Sequence, residues 1–254
     1  MIDTHAHIQD LENVDKSILS AVSSGVEKII CVGYDISSSI EAIKLANKYK
    51  EVYAIVGVHP SEVEKVEDDY ILKLRELAKS KKVVAIGEIG LDYHYLPFDK
   101  DLQKKIFVEQ LILADELKLP ICIHTRDAIG DTIAVLKENE RYLNNSGVLH
   151  CYGESFESFN ILKKYNFKIS IGGVLTYKNA RSIVEVVSKI PMEYIMIETD
   201  CPWLTPEPYR GKCKNEPKYV VEVLNKLADI KGISREEAER ITTHNAIELF
   251  KFKD

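Results

Sequence analysis

Two histidines, His5 and His7, stand two residues apart in the opening run "MIDTHAHIQD". In an extended strand, side chains two apart share a face, so both imidazoles point the same way. Two neutral nitrogen donors on one face suit a metal ion. Packing explains one such pair equally well, and the rest of the chain decides. His59 in "GVHP", Glu88 in "IGEIGLDY", His124 in "CIHTR", His150 in "LHCY" and Asp200 in "IETDCP" each close an apolar run. Five of the 7 histidines (His5, His7, His59, His124, His150) therefore fall at such ends. An ionisable group buried there alone would cost roughly several kcal/mol, a penalty removed when the groups share a cation. His5, His7, Glu88, His124, His150 and Asp200 are thus the expected metal ligands. They exceed what one tetrahedral zinc needs and suit two divalent ions a few ångströms apart. We expect His5, His7 and Asp200 on one ion, His124 and His150 on the other, and Glu88 as the bridge. Mixed imidazole and carboxylate donors admit Mg, Zn, Mn, Co or Ni. Such a pair activates water at neutral pH and polarises a phosphoryl or carbonyl oxygen, so the reaction class is metal-assisted hydrolysis.

The elements that position these residues are short apolar runs alternating with amphipathic ones. "MIDTHAHI", "KIICVGY", "VYAIVGVH", "VVAIGEIG", "PICIHTR", "GVLHCY", "FKISIGG" and "YIMIETD" read as parallel strands buried on both faces. Between them, "SSSIEAIKLANKYK", "DLQKKIFVEQLILADELKL", "SFESFNILKKYN" and "NARSIVEVVSKI" space apolar residues for one buried helical face, and "PKYVVEVLNKLADIKG" and "SREEAERITTHNAIELF" follow the last strand. Eight strand–helix units in 254 residues fit a TIM (β/α)8 barrel with an extra C-terminal helix. No linker interrupts the alternation, so residues 1–254 form one expected domain. A doubly wound open sheet is the competitor, but "GEIG" and "IGG" are not its GxGxxG phosphate loop. Barrel chemistry gathers at the C-terminal ends of the strands, where the candidate ligands fall.

The net charge of −6 excludes diffuse attraction of a polyanion, so a nucleic-acid substrate needs metal or a local basic patch. No apolar run reaches the roughly 20 residues that span a bilayer, and the start lacks the pattern of a signal peptide. The 5 cysteines show no CxxC spacing and read as reduced thiols, which predicts a cytoplasmic protein. No helical seam demands a partner, so a monomer is expected.

Taken together, "DTHAHI", "VGVHP", "IGEIGLDY", "PICIHTRDA", "LHCY", "ETDCPWLTPEPYRGK" and "NEPKYV" resemble the TatD family of metal-dependent deoxyribonucleases, within the amidohydrolase superfamily. The resemblance runs from residue 2 to the C-terminal helix. It implies a TIM barrel, a divalent-metal site, and hydrolysis of phosphodiester bonds in DNA, often by trimming single strands from the 3′ end. By motif it implies the same six ligands. The run "RGKCKNEP" is one residue longer than the spacing usual in that family, which leaves open which of Lys212, Lys214 and Asn215 reaches substrate. Two other functions stay open. One is hydrolysis of another ester or amide, such as an aminoacyl-tRNA. The other is nucleic-acid binding without catalysis. Many amidohydrolases bridge their metals with a lysine on strand four, whereas here Glu88 holds that place and Lys81 and Lys82 lie at the strand's other end.

Around the ligands, Glu88, Asp200 and His59 are the expected catalytic residues. His59 precedes Pro60 and is held out of helix; it would contact phosphate or orient water. Arg126, Arg210, Lys212 and Tyr152 are the expected substrate contacts, through phosphate forks, charge or base stacking. Tyr152 and Trp203 could each stack on a base or pack at the rim. Asp92 could orient a ligand histidine, while His94 and His244 read as structural.

Overall fold

The computed structural model describes residues 1–94 and 96–252; of the expected domain, Tyr95, Lys253 and Asp254 lie outside them. Strands and helices alternate along the chain: β1 (Ile2–Ala6), α1 (Val14–Ser23), β2 (Lys28–Val32), α2 (Ile36–Lys48), β3 (Val52–Val56), α3 (Tyr70–Leu77), β4 (Val83–Asp92), α4 (Lys100–Leu117), β5 (Ile121–Arg126), α5 (Ile129–Glu138), β6 (Gly147–Leu149), α6 (Phe156–Leu162), β7 (Lys168–Ile171), α7 (Arg181–Lys189), β8 (Ile195–Ile197), α8 (Val220–Lys231) and α9 (Arg235–Phe250). Helices α1, α3 and α5, of 10, 8 and 10 residues, complete the alternation in the remaining stretches between strands. Side-chain caps fix several starts, among them Asn13 on α1, Asp35 with Ser38 in a capping box on α2, and Ser234 on α9.

The strands pair in parallel in chain order from β1 to β8, as the alternation requires. The ring is drawn together between its ends by backbone bonds just past the strands: Asp200 N–H donates to the His5 carbonyl (2.9 Å) and His7 N–H to that of Cys201 (2.8 Å). Inside the barrel, Ile30, Val32, Tyr53, Ile55, Cys122, Val148 and Met196 form one apolar plug, which Ala246, Leu249 and Phe250 of α9 cap from the N-terminal end of the strands. The extra C-terminal helix is therefore a lid on the barrel floor. Outward-facing residues such as Ile29, Cys31, Ile123 and Leu149 pack in the second, larger core beneath the helices.

Two register slips aim the chemistry. Asp3 pairs Ile29 while Ala6 pairs Cys31, so three steps of β1 match two of β2. Likewise Ile86 pairs Ile121 while Ile89 pairs Ile123. Bulges of this kind turn a side chain that would face the helices into the barrel. His5 and Glu88 sit in these two slips. Glu88 consequently lies inside β4 rather than at its end, because the strand runs on to Asp92.

Gly90 makes that continuation possible. Its φ is +141°, and a Cβ there would run into the His124 carbonyl oxygen on the neighbouring strand. Gly90→Ala should lower stability by roughly 3 kcal/mol, combining backbone strain with a clash against main chain that has no free side chain to move. A urea melt of the variant that overlays wild type would show that the strand tolerates a side chain there.

Candidate metal centre

Inward positions on successive strands change from apolar to polar in one step: Cys122 is followed two residues on by His124, Val148 by His150, and Met196 by Glu198. The polar layer lies just above the apolar plug, at the C-terminal ends of the strands. There the structure brings together all six residues expected as ligands. Asp200 lies past β8 with φ at 55°, in a turn that swings its side chain back over β1.

His5, His7 and Asp200 offer donors close enough together to share one ion, and Glu88 stands beside the two histidines. His5 Nε2 and His7 Nε2 are 3.2 Å apart. Glu88 Oε2 lies 3.4 Å from His5 and 3.6 Å from His7. Asp200 Oδ1 lies 3.9 Å from His5 and 3.6 Å from His7. Donors about 2.1 Å from a tetrahedral zinc lie roughly 3.4 Å from one another, so this set has the dimensions of a cation site. The other oxygen of Glu88 faces a second set: Oε1 is 2.9 Å from His124 Nδ1 and 2.7 Å from His150 Nε2, and those two nitrogens are 3.2 Å apart.

The imidazole tautomers test whether a cation fits. His7 Nδ1 lies 2.8 Å from the Val32 carbonyl, which can only accept, so Nδ1 carries the proton and Nε2 presents its lone pair to the centre. His124 Nε2 lies 3.0 Å from Asp92 Oδ2, and its Nδ1 lies 2.9 Å from Glu88 Oε1. Burial works to lower its pKa, but the two carboxylates raise it, and the ring held between them offers its Nδ1 lone pair to the centre once that nitrogen gives up its proton. A divalent ion bound between the sets would take the place of that proton. The donor set fits divalent ions, and Val32 and Asp92 orient it from behind.

The profile of the TatD related DNase family matches residues 2–251. The chain belongs to this family. Its relatives include an uncharacterised metal-dependent hydrolase of Bacillus subtilis, YabD, 43% identical over 257 residues covering 99% of both chains. A second uncharacterised metal-dependent hydrolase, YcfH of Escherichia coli K12, is 35% identical over 98% of this chain and 95% of its own. Among solved structures, the TatD homologue YJJV of E. coli K12 superposes with a TM-score of 0.90 at 29% identity, over 100% of this chain and 98% of that one.

In this TatD-family barrel the electrostatics are dominated by burial. Burial lowers His7 to about 3, with His5 adding and Glu88 opposing. Burial also lowers His59 to about 3, with His124 adding. Both rings are therefore neutral, the form in which imidazole ligates or donates a single proton. Burial opposes ionisation of Glu88, yet the facing rings of His150, His59 and His5 hold its carboxyl well below the usual range. Asp200 is pushed well above that range by burial, and Glu198 and Glu88 add to it while His150 opposes. A divalent cation bound between the sets would reverse that push.

His59 has a different tautomer. Its Nδ1 accepts from the Ser61 backbone N–H at 3.0 Å, so Nε2, 3.6 Å from Glu88 Oε1, carries the proton. It faces the centre as a donor, which sets it apart from the ligands. The rim residues divide. Arg126 is exposed at the end of β5, and Lys212 is exposed. The Arg210 guanidinium lies 3.7 Å above the Tyr177 ring. Lys214 is tied to Glu12 at 2.7 Å. Asn215 is buried and donates to the carbonyls of Thr199 and Trp203, so it shapes the loop instead of touching substrate. The expectation for Tyr152 is corrected: its ring is buried and its hydroxyl donates to the Ser155 carbonyl, leaving no face for a base. His94 pairs with Asp127 in an exposed contact away from the ligands. A cavity of about 310 Å3 opens at the opposite end of the barrel beside Lys81, Lys168 and Glu248, but it contains no histidine, and the chemistry lies at the other face.

Two acidic residues escaped the sequence reading. Asp3 is fully buried and accepts from Thr199 N–H (2.9 Å) and Oγ1 (2.6 Å), fastening β1 to the segment that carries Asp200. Glu198 is also fully buried. Its Oε1 accepts from Cys151 N–H at 2.7 Å and lies 3.5 Å from His150 Nδ1, while its Oε2 has no hydrogen-bond partner. The alternation that pairs His5 with His7 also pairs Glu198 with Asp200, and this was the signal available. Glu198 stands behind the His150 ring at a longer distance than the 3.0 Å of Asp92 to His124, and His150 Nδ1 makes no hydrogen bond. Glu198→Gln should weaken the second of two metal equivalents by about 10- to 100-fold while the first binds as in wild type. Calorimetric titration that finds both equivalents unchanged would remove Glu198 from the support of the site.

Proposed function

We propose that this chain is a two-metal phosphodiesterase that acts on DNA as a 3′–5′ exonuclease on single strands. The observation that carries this reading is the Glu88 carboxylate, which turns one oxygen to each donor set. Two divalent ions bound there would lower the pKa of a water towards neutrality and polarise a phosphoryl oxygen. The family's description as TatD related DNases supports DNA as substrate, and the sequence resemblance supports the 3′ end.

The chain's own residues divide the remaining work. Glu88 holds the two donor sets in register. Asp200, the most exposed carboxylate of the centre with 14% of its side chain open, takes the proton from the attacking water. His59, neutral at working pH and oriented by Ser61, gives a hydrogen bond from its Nε2–H to a phosphoryl oxygen. Arg126, Arg210 and Lys212 contact phosphates next to the scissile one. Amide or aminoacyl-ester hydrolysis is the weaker reading, because Lys81 and Lys82 lie before β4, at the far end of the barrel from the site where a lysine bridge would sit. The five cysteines are unpaired, which supports a reducing cytoplasm. Among the described residues no helix is long and apolar enough to cross a membrane. Among the described residues the exposed large apolar side chains are Leu19 and Val22 on α1, Ile40 on α2, Leu72 on α3, Ile247 on α9, and Leu96 and Trp203 in loops, a scatter that supports action as a monomer.

Chelation should abolish hydrolysis of labelled single-stranded DNA, and divalent cation should restore it. In the same assay Glu88→Gln, which keeps volume but weakens ligation, should lose at least about a hundredfold in rate while its far-ultraviolet spectrum stays native. Full turnover by metal-stripped protein would overturn the proposal. A Glu88→Gln variant with half its activity and both metals would remove the bridge.

Replacing Arg210 and Lys212 together with alanine should weaken every DNA sequence alike, since phosphate contacts carry no sequence information. The salt dependence should flatten by about 0.7 in slope per lost contact. Small activated phosphodiesters should suffer less than DNA. An equal loss on both substrates would mean that these residues support the metal centre or the fold.

A further inference from the structure

The chain has a single tryptophan, Trp203, and it is 50% exposed. Most large apolar side chains that are exposed lie on the outer helices, whereas Trp203 stands at the mouth of the metal centre. Its ring and that of His7 meet in a T-shaped contact with centroids 5.1 Å apart and planes at 68°. On another side of His7 lies Tyr34, at 5.8 Å, its hydroxyl turned to Asp10. The indole is thus one ring removed from a donor of the first set.

Slack in the loop does not account for this exposure. Trp203 N–H donates to the Asp200 carbonyl at 3.0 Å. The Trp203 carbonyl accepts from the buried Asn215 side chain at 2.6 Å, and the same amide reaches Thr199 O at 2.8 Å. One residue further on, the Leu204 carbonyl packs so tightly over Gly173 that a Cβ there would overlap it. The main chain is pinned on both sides, and only the indole stands free. A large apolar ring kept half in water beside a polar centre loses burial that a smaller or polar residue would not forgo. Its flat face is the kind of surface on which an unpaired nucleobase stacks, and every base has a π-face to offer.

We propose that Trp203 is the stacking platform for an unpaired nucleobase of the nucleotide whose phosphate lies at the metal centre. This rests on the nucleic-acid reading above and narrows it. A duplexed base keeps both faces covered by its neighbours, so the platform favours single strands and frayed ends. Stacking is indifferent to base identity, so it adds affinity without sequence preference. Arg210 on Tyr177 and the free Lys212 hold the backbone, and Trp203 holds the base, which makes it a positioning residue for the reacting phosphate.

Because Trp203 is the only tryptophan, its fluorescence reports on the platform directly. The metal-loaded protein is titrated with a short phosphorothioate oligothymidylate, which resists cleavage, and with an abasic oligonucleotide of equal charge. The oligothymidylate should quench and shift the emission and bind more tightly than the abasic strand. Trp203→Ala should weaken oligothymidylate by about five- to a hundredfold, the range of one base–aromatic stack, and leave abasic binding and metal content per chain at wild-type values. Trp203→Phe should recover most of the loss. Equal affinity of wild type for the two strands, or an unaffected Trp203→Ala variant, overturns the platform and leaves the DNase reading standing. If wild type binds neither strand, the nucleic-acid reading falls and the platform with it. Emission that shifts with protein concentration in the absence of DNA would mark the indole as a contact between protein molecules, and would overturn the proposal.

Discussion

One carboxylate sets the terms for the rest of the site. Glu88 is buried, yet it is ionised and offers an oxygen to each of two donor sets. A buried charge of this kind persists only where cationic partners surround it. The five imidazoles that reach towards the centre, His5, His7, His59, His124 and His150, come from or just past β1, β3, β5 and β6. The barrel is the device that brings those strand ends to one point, and the two register slips turn His5 and Glu88 inward from strands whose simple alternation would have placed them elsewhere.

Precision comes from a layer of groups behind the candidate ligands. Glu198 stands behind His150 without a hydrogen bond to it, while the Val32 carbonyl and Asp92 each hold one ring nitrogen, of His7 and His124, and turn the other to the centre. Asp3 and Asn215 do the same for main chain, locking the segment after β8 against β1. Apart from Asp92, half-buried at the end of β4, these groups are buried, where dense packing leaves few alternative positions. Below them the apolar plug, closed by α9, gives the polar layer a dry floor. The arrangement separates stability at one end of the barrel from chemistry at the other, as this fold permits.

The mouth solves a different problem. A protein of net charge −6 repels a polyanion at a distance. On the nucleic-acid reading proposed above, cationic groups at the rim therefore have to act locally. Arg210 is held ready on the Tyr177 ring, Lys212 is exposed, and Lys214 is neutralised by Glu12. Only some of the positive charge in "YRGKCK" is available to a ligand, a distinction that a count of lysines and arginines does not make.

The sequence by itself determined the parallel barrel, through eight apolar runs of strand length alternating with helical ones. It also determined the identity and chain order of the six candidate ligands, because an ionisable residue closing an apolar run is anomalous wherever the run folds. Both are local properties, carried by neighbours within a few residues. What only the tertiary structure decided depends on strands far apart in the chain. The division of Glu88's two oxygens follows from how β4 slips against β5 and from where β1 and the segment after β8 close the ring. Glu198 looked like one more residue of "IMIETD" until burial placed it behind His150. Tyr152 and Trp203 are alike in residue class and both follow a ligand closely, yet the first is buried in the core and the second stands in solvent. Local pattern cannot separate them, because whether a ring is covered depends on which distant segment packs over it.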